Sequence, residues 1–386
     1  MTALGTLWPA VVRGGKLLVS GRVRQFTRKL FNETAAIKAG ESAPVRSGPP
    51  LTLAGHILRP GGYDHVVLAV LKGLVVSGVN VLRDPDSVLN YEHIPEAIRP
   101  GEGVAPGTPR IAVTPPHLLH RFHPDRRTAV FTMWETDTLP ARAVTELNRC
   151  GLVIVPSEWG AECFRANGVT MPIEVVPLGY DPAVFRPAPP LTGCVFGTAG
   201  ALDDGGLRKN VPKVIEWFRA SFPTKPEVRL RVKITPASPP VTTHGDPRID
   251  VIDRSLSSTE LAEWYASLTA FVNGSFGEGF GLHLLEAMAC GRPLISTSFG
   301  GASEFFGRDV GYEVSHRLVE AKNTIYSGHW AEPDDAAMIA AMRRVFSYGN
   351  EAAELGCRAA AHASGFTWTA MAARLVKVLR ERGFCD

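Results

Sequence analysis

The chain has 386 residues, of which 45% are hydrophobic and 20% charged, and its formal net charge at pH 7 is +3. This length allows two domains with separate cores, and the small net charge argues against a nucleic-acid-binding surface. No apolar run reaches the roughly 18–20 residues of a membrane-spanning helix. The six cysteines are scattered without a C-x-x-C pair, so we expect a reduced, cytoplasmic protein. The apolar stretch 4–12 is short and precedes the basic residues, which is not the pattern of a signal peptide.

Residues 1–50 are predicted to form a basic extension. Residues 13–29 contain no acid, and their basic residues alternate with apolar ones: Arg13, Lys16, Arg22, Arg24, Arg28 and Lys29. Two interpretations are open, namely an amphipathic segment in peripheral contact with the anionic inner face of a membrane, or a solvated extension packed on the protein body. The stretch 41–50, rich in Ser, Pro and Gly, is typical of a linker.

From residue 51 onward, short β-branched runs alternate with helical patterns. Strands are predicted at 51–58, 79–82, 111–113, 129–133, 152–155 and 174–176, and helices at 66–76, 141–148 and 159–167. This alternation is typical of a parallel sheet with helices on both faces. We therefore predict a first Rossmann-like domain over residues 51–185.

The same alternation restarts after a proline-rich stretch, which places a domain boundary between Pro172 and Pro190. Strands are predicted at 194–198, 228–234, 249–252, 270–273, 293–297 and 311–314, and helices at 211–218, 258–267, 282–289, 335–346 and 369–381. The predicted fold class is α/β, with two doubly wound domains, 51–185 and 186–365, facing each other across a cleft. Residues 366–386 are expected to complete the first domain.

The most informative segment leaves a predicted strand and opens a helix, and it reads Asn273-Gly-Ser-Phe-Gly-Glu278-Gly279-Phe280-Gly281-Leu282-His-Leu-Leu-Glu286. Its glycines at 277, 279 and 281 allow close approach of the backbone to a ligand, and the amides of the helix start suit a diphosphate. Glu286 lies about 7 Å along the helix, near the distance from a diphosphate to its ribose. Each glutamate alone could be an ordinary helix residue. Together with the glycines they indicate a nucleotide site, with Glu278 on the sugar side and Glu286 on the ribose side.

Residues 277–304 resemble the donor-site signature of glycosyltransferase family 4, the retaining enzymes of the GT-B fold: a glutamate, seven residues and a second glutamate, with G-F-G-L after the first. Weaker similarity at 131–136, 153–159 and 175–185 extends the resemblance to about residues 51–380. It implies an acceptor-binding first domain and a donor-binding second domain. It also implies transfer of a sugar from a nucleoside diphosphate to an acceptor hydroxyl with retention of anomeric configuration. The donor-binding residues implied are Glu286, Gly279, Phe280, Gly281 and Leu282.

Members of this family carry a basic pair that faces the donor phosphates. Arg208-Lys209-Asn210 precedes the helix predicted to begin at residue 211. A cation at the start of a helix is unfavourable unless an anion is nearby, although plain solvated charge is the alternative. Lys209 matches the family lysine, and Arg208 is the candidate substitute for an arginine that usually lies several residues earlier. In the first domain, Gly61 and Gly62 match a glycine-rich turn close to the donor phosphate, or form a plain strand-to-helix turn.

Many members also have a histidine at the end of a middle strand of the first domain. This chain has Glu135 in the corresponding segment 131–137, so Glu135 is the candidate for a polar role near the sugar unless the segment serves the acceptor. His117 and His120 lie upstream and are expected to be structural or at the surface. We expect no metal and no cofactor, because Asp84-Pro85-Asp86 favours a turn and cations with a helix N-terminus can stabilise the leaving diphosphate.

The predicted catalytic residues are therefore Lys209, Arg208, Glu278 and Glu135. Two alternatives share the architecture. One is a nucleotide-sugar epimerase or a phosphorylase, and the other is a GT-B protein that binds a sugar nucleotide without turnover. The absent histidine and the displaced arginine keep the second alternative open.

Overall fold

The computed structural model describes residues 46–386 except 59–61, 190–191, 203–207, 237 and 322–323. The basic segment 13–29 and Gly61 therefore lie outside the described residues. Of the helices in the part that is described, none combines the length and apolar character needed to cross a bilayer.

The first domain is built on one parallel sheet. Its strands are β1 (Ser47–Ile57), β2 (Val79–Arg83), β3 (Val88–Leu89), β4 (Arg110–Val113), β5 (Thr128–Phe131), β6 (Leu152–Val155) and β7 (Ile173–Val175), in the order β2-β1-β4-β5-β6-β7 with β3 beside the end of β1. The helices are α1 (Gly62–Val76), α2 (Ala141–Leu147) and α3 (Glu158–Ala166). All four residues of β6 are buried, as expected for a strand that is covered on both faces.

The second domain repeats this design with a second parallel sheet. Its strands are β8 (Cys194–Gly200), β9 (Val228–Ile234), β10 (Ile249–Ile252), β11 (Ala270–Val272), β12 (Leu294–Ser296) and β13 (Gly311–Glu313), and its first helices are α4 (Val211–Ser221), α5 (Ser258–Ala266) and α6 (Leu282–Ala289). The strand order β10-β9-β8-β11-β12-β13 reverses between β8 and β11. Ligands of such sheets bind beyond the carboxyl ends of the strands at this reversal.

Two antiparallel strands, β14 (His316–Glu320) and β15 (His329–Pro333), form a hairpin after the second sheet. Three helices follow, α7 (Asp335–Ser347), α8 (Gly349–Ala363) and α9 (Trp368–Glu381). Helix α9 returns to the first domain and packs on α1. The two helices approach so closely that a Cβ atom on Gly73 would lie 2.6 Å from the Cβ atom of Ala372.

The chain passes between the domains twice, and the two passages are hydrogen-bonded to each other. The Tyr180 amide donates to the Phe366 carbonyl (3.1 Å), and the Trp368 amide donates to the Tyr180 carbonyl (3.2 Å). A Cβ atom on Gly179 would lie 2.1 Å from the carbonyl carbon of Thr367, so this approach requires glycine. Both crossings therefore run side by side at one place.

Candidate active site between the two domains

Helix α6 begins at the carboxyl end of β11, beside the reversal in strand order. Gly281 precedes it with φ of 94°, a left-handed conformation that favours glycine, and it provides no side-chain cap. A helix N-terminus without a capping side chain is suited to an external anion. Leu282 is the first helical residue and is partly exposed. The Phe280 side chain is buried against Phe305, with ring centroids 5.0 Å apart, so Phe280 offers only its backbone to a donor.

The loop before α6 lies directly against the first domain. A Cβ atom on Gly277 would lie 2.1 Å from the Glu135 carbonyl oxygen, and one on Gly279 would lie 2.6 Å from Cγ of Met133. The surface that these two glycines approach closely is thus the loop that follows β5. This contact brings Glu278, which stands between the glycines, to the junction of the domains.

Glu278 pairs with both predicted cations. Its carboxylate lies 2.6 Å from Lys209 Nζ and 3.5 Å from an Arg208 nitrogen, and Arg208 also donates to the Gly277 carbonyl at 2.9 Å. Burial alone would raise the pKa of Glu278, but the charges of Lys209 and Arg208 hold that pKa well below its usual range. Burial lowers the pKa of Lys209, and the Glu278 carboxylate opposes this effect. The two groups therefore form an ion pair at neutral pH.

Glu135 is the fourth member of this group. It follows β5 and faces Arg208, Lys209 and Glu278 across the domain junction. Burial raises the pKa of Glu135, while Arg208 and a hydrogen bond from the Tyr326 hydroxyl act in the opposite direction. The structure thus brings together all four residues that the sequence predicted to be catalytic.

His283 belongs to the same group, although the sequence analysis did not select it. Its Nε2 atom lies 3.9 Å from a Glu278 carboxylate oxygen. Burial and the nearby Lys209 charge lower the pKa of His283 to about 3, so the imidazole is neutral at pH 7. Its position as the second residue of α6, inside the motif, was the signal that could have identified it.

Glu286 stands in a separate group, deeper along α6. Its carboxylate accepts a hydrogen bond from the Tyr265 hydroxyl at 3.2 Å and faces Lys233, the penultimate residue of β9. Burial raises the pKa of Glu286 to about 7, against the opposing effects of Tyr265 and Lys233. Sequence reasoning missed both partners, of which Lys233 could have been found as a cation at the carboxyl end of a strand.

At the start of α1, Gly62 is exposed and a Cβ atom added there would have no neighbour within 4 Å. The next residue, Tyr63, fixes the helix start to the loop after β5: its hydroxyl donates to the Met133 carbonyl (3.1 Å) and accepts from the Met133 amide (3.0 Å). Gly62 is therefore the neighbour of a residue, Tyr63, that contacts the segment carrying Glu135.

The histidines and the aspartate pair outside the motif have local partners. His117 lies against Trp134 with ring centroids 5.8 Å apart, and His120 contacts the His117 carbonyl at 3.1 Å. Asp84 accepts from the Asp86 amide at 3.0 Å, which is the predicted turn. Among the residues that the structure describes, no group of three or more His, Cys, Asp or Glu side chains could hold a metal ion.

The part of the site that the second domain contributes lies in a segment that matches a known family. Residues 205–346 match the family model described as Glycosyl transferases group 1. The match includes the predicted donor motif and both predicted cations. The resemblance predicted from residues 277–304 is thereby confirmed.

Curated proteins are similar to this chain over limited lengths. A D-inositol 3-phosphate glycosyltransferase of Arthrobacter sp. (strain FB24) is 28% identical over 227 residues, which is 52% of this chain and 48% of the relative. Another, of Paenarthrobacter aurescens (strain TC1), is 31% identical over 141 residues, which is 36% of this chain and 29% of the relative. The aligned regions thus span less than half the length of either relative.

Solved structures extend the similarity to the whole fold. Sucrose-phosphate synthase from Thermosynechococcus elongatus superposes with a TM-score of 0.63 at 17% identity, over 86% of this chain and 98% of that chain. The OtsA apo structure gives a TM-score of 0.57 at 12% identity, over 86% and 99%. The pneumococcal O-GlcNAc transferase GtfA, solved in complex with UDP and GlcNAc, gives 0.53 at 14% identity, over 71% and 56%. The predicted GT-B architecture of two parallel-sheet α/β domains is confirmed.

Proposed function

We propose that this protein is a glycosyltransferase that moves a sugar from a nucleoside-diphosphate sugar to an acceptor hydroxyl with retention of anomeric configuration. The observation that carries the proposal is the meeting of Lys209, Arg208, Glu278 and Glu135 at the domain junction, beside the start of α6. The match of residues 205–346 to the Glycosyl transferases group 1 family model supports the same reaction class.

The diphosphate is proposed to bind between the start of α6 and the two cations. Lys209 and Arg208 lie next to the positive end of a helix dipole, in a group that also contains the Glu278 and Glu135 carboxylates. Charge-assisted hydrogen bonds from these groups would strengthen as negative charge develops on the leaving diphosphate. Lys209 and Arg208 thus take the role that a divalent cation would otherwise have.

The nucleoside is proposed to extend along α6, with Glu286 accepting hydrogen bonds from the ribose hydroxyls. Glu286 lies four residues beyond the helix start, or about 6 Å at about 1.5 Å per residue. The transferred sugar would then lie on the side of Glu278 and Glu135. In this arrangement residues 186–365 are the donor domain, and residues 51–185, completed by 366–386, are the acceptor domain.

Retention is proposed to follow from assistance by the leaving group. Both carboxylates beside the sugar position are engaged, Glu278 by Lys209 and Glu135 by the Tyr326 hydroxyl. A leaving phosphate oxygen on the same face of the sugar would accept the proton of the incoming hydroxyl. The apposition of the two domains would exclude water and so limit hydrolysis.

A direct test is to incubate the full chain with uridine, guanosine and adenosine diphosphate sugars, with and without a panel of sugar, polyol and lipid-linked acceptors. We expect nucleoside diphosphate release that depends on an acceptor, together with a glycosylated product that has the anomeric configuration of the donor. Recovery of an epimerised sugar nucleotide would instead support an epimerase, and phosphate-dependent cleavage of a glycan would support a phosphorylase. Thermal stabilisation by a sugar nucleotide without any release would indicate a binding protein.

Peripheral membrane contact is a separate proposal for the basic segment 13–29. Co-sedimentation with anionic and neutral liposomes tests it, with a chain that lacks residues 1–45 as the control. Binding by the full chain alone, and only to anionic liposomes, would support membrane contact. Equal recovery of both chains in the supernatant would support the solvated extension.

A further inference from the structure

The β14–β15 hairpin belongs to the second domain but its turn lies on the first. Ser327 and Thr138 form an isolated antiparallel bridge, and Asp137 accepts from the His329 amide at 2.7 Å and contacts His329 Nδ1 at 3.0 Å. Gly328 has φ of 81°, and a Cβ atom there would lie 2.2 Å from an Asp137 carboxylate oxygen. The approach of this turn to the first domain therefore depends on glycine at this position.

This contact places one side chain of the turn at the candidate active site. The Tyr326 ring lies between two tryptophans, 4.8 Å from Trp134 of the first domain and 5.8 Å from Trp330 of the hairpin. Its hydroxyl lies beside the Glu135 carboxylate, whose pKa it lowers against the effect of burial. Trp330 in turn lies beside Gly277, since a Cβ atom on Gly277 would be 3.5 Å from its ring. The hairpin thus contacts both loops that carry the predicted catalytic carboxylates.

We propose that Tyr326 is a positioning residue for sugar transfer, because its hydroxyl, placed by the docked hairpin, orients the Glu135 carboxylate towards a hydroxyl of the transferred sugar. The inference rests on the proposed function and names a residue of that site which the family signature does not contain. Glu135 occupies the segment in which many family members have a histidine, so the chain would use a carboxylate and a tyrosine from two domains in its place.

The balance of charges explains why a tyrosine is needed. Burial and the Glu278 carboxylate disfavour ionised Glu135, while Arg208, Lys209 and the Tyr326 hydroxyl favour it, and Tyr63 lies nearby on α1. A bound diphosphate would take up the charge of Arg208 and Lys209 and so weaken their effect on Glu135. The Tyr326 hydroxyl would then be the main group that keeps Glu135 ionised. Because the two residues belong to different domains, this holds only while the domains are together.

The test is Tyr326→Phe, which keeps the ring between the tryptophans and removes only the hydroxyl. We expect kcat to fall about tenfold, with the donor KM changed less than about twofold. Loss of the hydrogen bond should also move the acidic limb of the kcat–pH profile upward by about one pH unit. Glu135→Gln should abolish that limb, and the double variant should be no slower than Glu135→Gln alone, since the two residues act as one unit.

Two further variants separate this role from hairpin docking. Tyr348→Phe removes the hydroxyl of a tyrosine that is 62% exposed and should leave kcat and its pH profile unchanged. His329→Ala loosens the turn but keeps the Tyr326 hydroxyl, so it should lower kcat less and leave the acidic limb in place. The proposal would be overturned if the acidic limb of the kcat–pH profile did not move in Tyr326→Phe, or if it moved equally far in His329→Ala.

A second measurement does not depend on turnover. In protein labelled with carboxyl-13C glutamate, the Glu135 signal can be assigned by its loss in Glu135→Gln and titrated against pH. We expect its midpoint to rise by about one pH unit in Tyr326→Phe. An unchanged midpoint overturns this inference even if the wild type transfers sugar. Absence of transfer by the wild type overturns the proposed function and with it a role of Tyr326 in transfer.

Discussion

Glu278 and Glu286 differ in ionisation although both lie on one motif. Neighbouring cations hold the pKa of Glu278 below its usual range, whereas burial raises the pKa of Glu286 to about 7. A raised pKa means that the carboxyl of Glu286 is ionised only above about pH 7. A ligand that prefers the ionised form should therefore bind more tightly as the pH rises through 7.

The first prediction concerns this pH dependence. The wild type should bind its nucleoside diphosphate about tenfold more tightly than Glu286→Gln at pH 8, because a carboxylate accepts stronger hydrogen bonds from ribose hydroxyls than an amide does. The difference should shrink towards zero at pH 6. Isothermal titration calorimetry of both proteins across this range measures it, and the comparison cancels the titration of the phosphate itself. A pH-independent ratio would contradict the role of Glu286.

Lys209 gives a second prediction at this scale. Lys209→Met should lower kcat about 10²- to 10³-fold, because it removes a charge that stabilises the leaving diphosphate. It also leaves the Glu278 carboxylate with fewer partners, so the thermal midpoint should fall as well. The double variant Lys209→Met, Glu278→Gln removes both charges and should recover stability without recovering activity. Recovery of activity in the double variant would show that Lys209 serves only to neutralise Glu278.

At the scale of elements, the loop between β11 and α6 carries the predicted catalytic Glu278 and also forms a contact surface between the domains. Gly277→Ala would place a Cβ atom 2.1 Å from the Glu135 carbonyl oxygen and force the two loops apart. We expect at least a tenfold loss of kcat, since reacting groups tolerate little displacement. Gly307→Ala is the matched control because its added Cβ would have no neighbour within 4 Å. Equal activity of the two variants in a transfer assay would refute this reasoning.

Elements with a clear hydrophobic period could be predicted from the sequence. Residues 228–234 alternate between buried and more exposed positions along β9, and helix 282–289 was placed without error. Helix α8 was missed, because it opens with Gly349-Asn350 and its buried face consists mainly of alanine. The β14–β15 hairpin was also missed, because β14 is largely exposed and carries His, Arg and Glu instead of an apolar run.

The residues of the site likewise divide into those that the sequence could predict and those that it could not. Lys209, Arg208 and Glu278 could be proposed from a motif and from two cations before a helix, and the structure brings them together. The contact between Glu135 and Tyr326 could not be predicted, because it joins residues that are far apart in sequence through a hairpin with no hydrophobic signal. His283 lay inside the motif, but only its position opposite Glu278 shows that it belongs to the cluster.

The whole molecule depends on the return of α9 to the first domain. Replacing a helical glycine by alanine normally stabilises a helix by about 1 kcal/mol. At Gly73 the added methyl group would lie 2.6 Å from the Ala372 Cβ atom, so α9 must shift away from α1. Overpacking of this kind costs about 1–3 kcal/mol, and we expect the net effect of Gly73→Ala to be destabilising.

Thermal unfolding followed by circular dichroism checks this prediction. Gly349→Ala is a suitable control, because that glycine also lies in a helix and an added Cβ would have no neighbour within 4 Å. The midpoint should fall for Gly73→Ala and stay the same or rise for Gly349→Ala. A higher midpoint for Gly73→Ala would mean that α9 is not held against α1.

The paired chain crossings at Tyr180 and Thr367 have a consequence for the speed of the reaction cycle. Two backbone segments bound side by side resist sliding and twisting of one lobe against the other, which leaves rotation about the crossing as the softest motion. Such a rotation must break the contact of Asp137 with His329, whose side chains are both partly exposed to solvent. Release of the product therefore requires the hairpin turn to leave the first domain and to dock again before the next turnover.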